Sequence, residues 1–147
     1  MTLDEITSYL HEHIPVTRSL GAAAVRWDGA SLALAAPLAP NLNHRGTAFG
    51  GSMSALAILA GWGVVHLALR ERGMEARLVI QRSAMEFAAP LEGDFTATAV
   101  LPEAAPWERF LATLERHRRA RIAVASSVAS GDVVGGLHQG TYAAFRR

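Results

Sequence analysis

The run Asn43-His44-Arg45-Gly46-Thr47-Ala48-Phe49-Gly50-Gly51-Ser52 gathers an amide, an imidazole, two hydroxyls and a glycine pair directly ahead of the chain's most apolar stretch. If a helix starts at the glycines, the amides of Gly50, Gly51 and Ser52 stand unpaired at the positive end of its dipole. Such amides can hold an anion, or an oxygen that becomes negative during a reaction. Glycine also lets a ligand approach the backbone closely. The alternative is that the pair only relieves crowding where the helix enters its packing partner. Asn43 could hold water or a ligand group, or bond its own loop backbone. His44 titrates near neutral pH and could act as a base or simply be solvated. Thr47, Phe49 and Ser52 are candidate contacts at the same mouth.

Arg82, Ser83 and Glu86 form a second polar group further along. Ser83 could bind water or a carbonyl; as a nucleophile it would need a partner that the sequence does not identify. On a strand the odd interval puts Glu86 on the face opposite Ser83, leaving Glu86 as a surface or interface charge. Arg116-His117-Arg118-Arg119, with Arg121, is the densest basic cluster and is expected at a hairpin tip. Arg118 and Arg119 could clamp phosphates or an acidic surface, or keep a turn soluble. Phe49, Trp62 and Trp107 could line a channel or fill a core. No metal site is expected, because His11 and His13 point different ways on a helix.

The elements that must position these groups follow from patterning. Thr2 and Glu5 have the form of a capping box, and Leu3, Ile6, Leu10 and Ile14 share one helical face until Pro15 and Gly21 close the segment. Val25-x-Trp27 and Leu32-x-Leu34 flank Asp28-Gly29 as a hairpin. Pro37 to Phe49 reads as a loop. From Gly50 to about Arg72-Gly73 runs a helix that is apolar nearly all round and must be wrapped by other elements. It is at the short end for a membrane span and is expected to be a core helix. Leu78 to Phe87, Phe95 to Leu101, Phe110 to Glu115, Ile122 to Val128 and Leu137 to Phe145 read as strands of an antiparallel meander. The expectation is an α+β domain over residues 1–147, a sheet curled round one long central helix.

Composition narrows the class of function. Half of the 147 residues are hydrophobic and 18% are charged, which excludes disorder and favours self-association. A net charge of +1 without a Lys/Arg block excludes a general nucleic-acid binder. Cysteine is absent, so there is no disulfide framework, thiolate nucleophile or cysteine zinc site. With no export signal visible at the N-terminus, a cytoplasmic location and no membrane partner are expected.

Three strings carry a resemblance: Ala36-Pro37-Leu38-Ala39-Pro40-Asn41, Thr47-Ala48-Phe49-Gly50-Gly51-Ser52 and Leu59-Ala60-Gly61-Trp62-Gly63. Gln81-Arg82-Ser83, the Pro90 to Phe95 segment and Arg119-Ala120-Arg121-Ile122 extend it to nearly the whole chain. The sequence resembles a family of thioesterase-like domains also found behind acetyltransferase domains in bacterial fusion proteins. No acetyl-coenzyme A phosphate loop is visible, so the acetyltransferase half is not expected here. The resemblance implies a hotdog fold, a homodimer or dimer of dimers, and an acyl-CoA or acyl carrier protein thioester as substrate, the chemistry of fatty acid metabolism. It implies no cofactor beyond the coenzyme A of the substrate. It favours Ser83 over Glu86 for the site and sets Asn43 where related thioesterases place an asparagine. The chain departs from better-known hotdog thioesterases, which carry His before the glycine pair and a carboxylate about two turns into the helix. Here Phe49 and the residues around Ile58 stand at those places. Water attack on a thioester, with the oxyanion held by Gly50 and Gly51, is the leading expectation. A non-catalytic acyl-CoA or acyl carrier protein binding module is the alternative. A hotdog dehydratase is disfavoured, since it too wants His and a carboxylate at the helix mouth.

Overall fold

The structure is a computed structural model that describes residues 1–147. The chain opens with α1 (Leu3–His13), whose capping box is complete, Thr2 and Glu5 each accepting the other's backbone N–H. After α2 (Val16–Leu20), Gly21 takes a left-handed conformation (φ 70°) that few other residues tolerate, and turns the chain into β1 (Ala23–Trp27). Asp28 accepts from the amides of Ala30 and Ser31 to close the hairpin to β2 (Ser31–Ala36).

Residues 37–49 form an irregular loop with one short 3₁₀ turn, Ala39–Asn41. The buried Asn41 ties this loop to the N-terminal helices by donating to the carbonyls of Leu20 and Pro37. The central helix α3 (Gly50–Glu71) follows. It is long and apolar enough to cross a membrane by length and composition, but 67% of its apolar window is buried inside this chain. Two of its carbonyls are pinned from the sheet: Ser126 donates to Ala57 O and Tyr142 to Ile58 O, each at 2.9 Å. Gly61 is required here because a Cβ would run into the Tyr142 hydroxyl.

The remaining strands are β3 (Ala76–Phe87), β4 (Phe95–Val100), β5 (Arg119–Ser130) and β6 (Val133–Arg146). All six strands form one antiparallel sheet in the order β1-β2-β4-β5-β6-β3. The expected meander holds only for β4, β5 and β6. Helix α3 carries the chain across the sheet, so β3 pairs with β6 at the far edge and β2 pairs with β4. The 88–94 segment then returns to β4, burying Leu91 against Gly135.

Phe110 to Glu115 is not a strand but part of helix α4 (Ala104–His117). Trp107, Phe110 and Leu114 are its buried residues, and their spacing is helical. β4 pairs only with Ser126–Ala129 of β5, and α4 packs against β5, whose first half has no strand on that side. The basic cluster is therefore not at a hairpin tip. Arg118 caps α4 in a left-handed conformation (φ 62°) and Arg119 begins β5.

Candidate active site

The N-terminus of α3 is built as the glycines require. Phe49 occupies the N-cap with an extended backbone and makes no side-chain cap bond. Its carbonyl accepts the first helical bond, from Met53 N–H. The amides of Gly50, Gly51 and Ser52 bond no acceptor in the chain. They point out of the positive end of a 22-residue helix with no acidic side chain in its first turn to neutralise them.

A cleft of about 330 Å³ adjoins this end, lined among others by Asn43, Thr47, Gly50, Met53 and Phe87. The loop that shapes it is held by Asn43, whose Oδ1 accepts from the amides of Arg45 (2.8 Å) and Thr47 (3.1 Å). Its Nδ2 donates to Thr47 Oγ1 (2.7 Å). Asn43 is thus at the cleft wall with its amide engaged in its own loop. Phe87 lies against Gly50, and exposed Phe49 lies against Gly51, so the glycine pair is flanked by two rings. Ser52 is buried in the first turn and His44 is exposed on the loop.

The structure does not bring every candidate to this cleft. Ser83 pairs with Gly140 and Arg82 with Thr141, so they face opposite sides of the sheet, and Arg82 shares the outer face with Glu86. Arg118 and Arg119 lie beside Phe145, level with Arg77 of β3 and ten residues along that strand from Phe87. That is about 30 Å at the usual strand rise. Arg119 and Arg121 border a separate hollow with Phe145 and Gln81.

Ser83 has the partner that sequence reasoning missed. Its Oγ lies 2.7 Å from Nε2 of His138, a residue only 1% exposed. Burial holds the His138 imidazole below its usual pKa, and its Nδ1 has no bonding partner. The parity of β6 carried a signal: Gly136, His138, Gly140 and Tyr142 alternate onto one face, which is the face packed on α3. What parity could not supply was the pairing of β3 with β6.

One antiparallel sheet wrapped round a long central helix is the architecture of a hotdog domain. Residues 3–146 match the family described as "Putative thioesterase (yiiD_Cterm)". The chain belongs to that family. It is similar to a protein of unknown function from Chlorobaculum tepidum TLS, with 27% identity and a TM-score of 0.91 over 98% of this chain and 94% of that one. A "putative thioesterase" from Shewanella oneidensis shares 23% identity, with a TM-score of 0.84 over 97% and 96% of the two chains. A thioesterase from Haemophilus influenzae shares 14% identity, with a TM-score of 0.77 over 99% and 92%. The latter two bear on the fold alone.

Proposed function

We propose that this thioesterase-type domain hydrolyses acyl-CoA or acyl carrier protein thioesters by direct attack of water, with the oxyanion held at the N-terminus of α3. One observation carries the reading: three unbonded amides, those of Gly50, Gly51 and Ser52, beside a cleft. Water adds to the thioester carbonyl while the amides stabilise the negative oxygen, the C–S bond breaks, and the proton that water gives up passes through solvent to the departing sulfur, leaving a carboxylic acid and a free thiol. No carboxylate stands on α3 before Glu71, so the attacking water does not lose its proton to a group on the first turns of that helix. That absence favours the second reading, a module that binds acyl-CoA or an acyl carrier protein without turnover.

Self-association belongs to the same reading, because β3 offers a long free edge to a second copy. The arginines at the α4–β5 junction would meet the phosphates or acidic carrier of the same ligand only if its arm spans the length of β3.

Release of free thiol over a panel of acyl-CoA esters tests the enzyme reading. Turnover is expected; retained binding with no thiol release would establish the binding module instead. Gly51→Ala tests the site. The new Cβ would fall on the ring of exposed Phe49, which can swing away, and alanine suits a helix better than glycine. Thermal stability should hold, while kcat/KM should fall about 10-fold or more as the thioester loses its close approach to the amides. An unchanged kcat/KM would remove the helix N-terminus from the mechanism.

A further inference from the structure

The Ser83–His138 pair lies outside the cleft at the helix N-terminus. Ser126, the register partner of His138, donates to Ala57 O, so Ser126 and His138 both face α3, and Ser83 reaches His138 from the same side. Ala57 is seven residues after Gly50, about 10 Å along the helix axis. Ser83 is four residues before Phe87, about 13 Å along β3. The hydroxyl therefore sits partway along the seam where α3 and β3 meet. That seam runs from Phe87 on Gly50 to the bond that Trp62 Nε1 donates to Leu78 O at 2.8 Å. Ala76, Leu78, Ile80, Met85 and Phe87, the other β3 side chains on that face, are all apolar.

We propose that Ser83 is a substrate-binding hydrogen-bond donor, held in place by His138 Nε2–H, and that it takes an oxygen of the substrate about 10 Å from the thioester carbonyl. The proposal rests on the thioester reading above. A serine nucleophile would need His138 to accept its proton and become a cation. The imidazole is buried, no carboxylate is bonded to Nδ1, and burial already disfavours its charged form. Neutral His138 has two arrangements. With the proton on Nδ1, a buried N–H is orphaned, which native structures rarely tolerate. With the proton on Nε2, only a lone pair lacks a partner, and Ser83 Oγ accepts. The serine proton is then free to turn outward, and Ser83 is exposed. The oxygen it meets is a carbonyl or hydroxyl acceptor, either an amide carbonyl of the pantetheine arm or an oxygen on the acyl chain.

Binding of three non-hydrolysable probes separates these sources: coenzyme A, S-octyl-coenzyme A and S-(ω-hydroxyoctyl)-coenzyme A, measured calorimetrically on the full chain. Ser83→Ala should weaken binding about 5- to 10-fold, the size of one hydrogen bond. A loss with all three probes assigns the acceptor to the pantetheine arm, and a loss confined to the hydroxylated probe assigns it to the acyl chain. His138→Gln, which keeps a donor, should bind like the wild type, and His138→Phe should reproduce the serine loss. Nitrogen-15 NMR of the wild type should show His138 protonated at Nε2. Wild-type affinity of Ser83→Ala for every probe, an Nδ1-protonated His138, or an acyl adduct on Ser83 by mass spectrometry would each overturn the proposal. A wild type that binds none of the probes would overturn it together with the thioester reading, whereas failure confined to the variants leaves that reading standing.

Discussion

At the scale of single residues, the titratable groups that matter most are those the fold has made neutral. His66 on α3 is stacked between Trp62, at 4.5 Å, and Tyr9, at 5.1 Å, with its Nε2 buried and unbonded. Burial first, then the charges of Arg70 and His13, lower its pKa from 6.5 to about 4. The folded state thus refuses a proton that the unfolded chain accepts between those values, so stability present above pH 6.5 is lost as pH falls toward 4. With the ring partly solvated, the loss from pH 7 to pH 5 should be on the order of 1 to 2 kcal/mol. His66→Phe keeps the stack and removes the titration. Urea unfolding at the two pH values should show a smaller acid loss for the variant than for the wild type. Equal losses would show that the His66 imidazole accepts its proton freely in the folded chain.

At the scale of elements, legibility in the sequence followed whether an element's signal was local. The capping box, the Asp28-Gly29 hairpin and the apolar α3 are each specified within a few residues and stand as the patterning predicts. The glycine pair at the start of α3 was legible for the same reason. The place of β3 beside β6 was not, because the pairing joins residues some sixty positions apart, such as Ala84 and Gln139 or Val79 and Ala143. His138 was missed with it. Helix α4 failed differently: Phe110, Leu111 and Leu114 passed for a strand when viewed alone, and only Trp107 reveals the helical period. The function of α4 is to seal the half of the core that β4 does not reach, through Leu114, which is fully buried. Leu114→Ala should therefore cost about 2 to 4 kcal/mol in chemical denaturation. A cost below about 1 kcal/mol would mean that α4 is an appendage and not a wall of the core.

At the scale of the whole molecule, the sheet is closed at neither end, and its two edges differ. β1 is five residues long and is covered by α1, whereas β3 runs for twelve residues with no element on its outer side. Val79 and Phe87 on that strand are 51% and 58% exposed. A long edge with unpaired amides and carbonyls is a template for another strand, and proteins that stay monomeric normally blunt such an edge. Arg77, Arg82 and Glu86 add charges, but none forms an ion pair that would hold it over the edge. A second copy pairing through β3 in antiparallel sense would satisfy the free backbone groups, cover Val79 and join two sheets into one. The mass in solution by light scattering should then be twice that of the chain. Val79→Asp sets a charge on the strand that would be buried or mirrored by its own copy, so it should shift the species toward monomer with an unchanged far-ultraviolet circular dichroism spectrum. A wild type that is monomeric at tens of micromolar would exclude pairing through this edge, and with it any contribution of a second copy to the surroundings of Ser83.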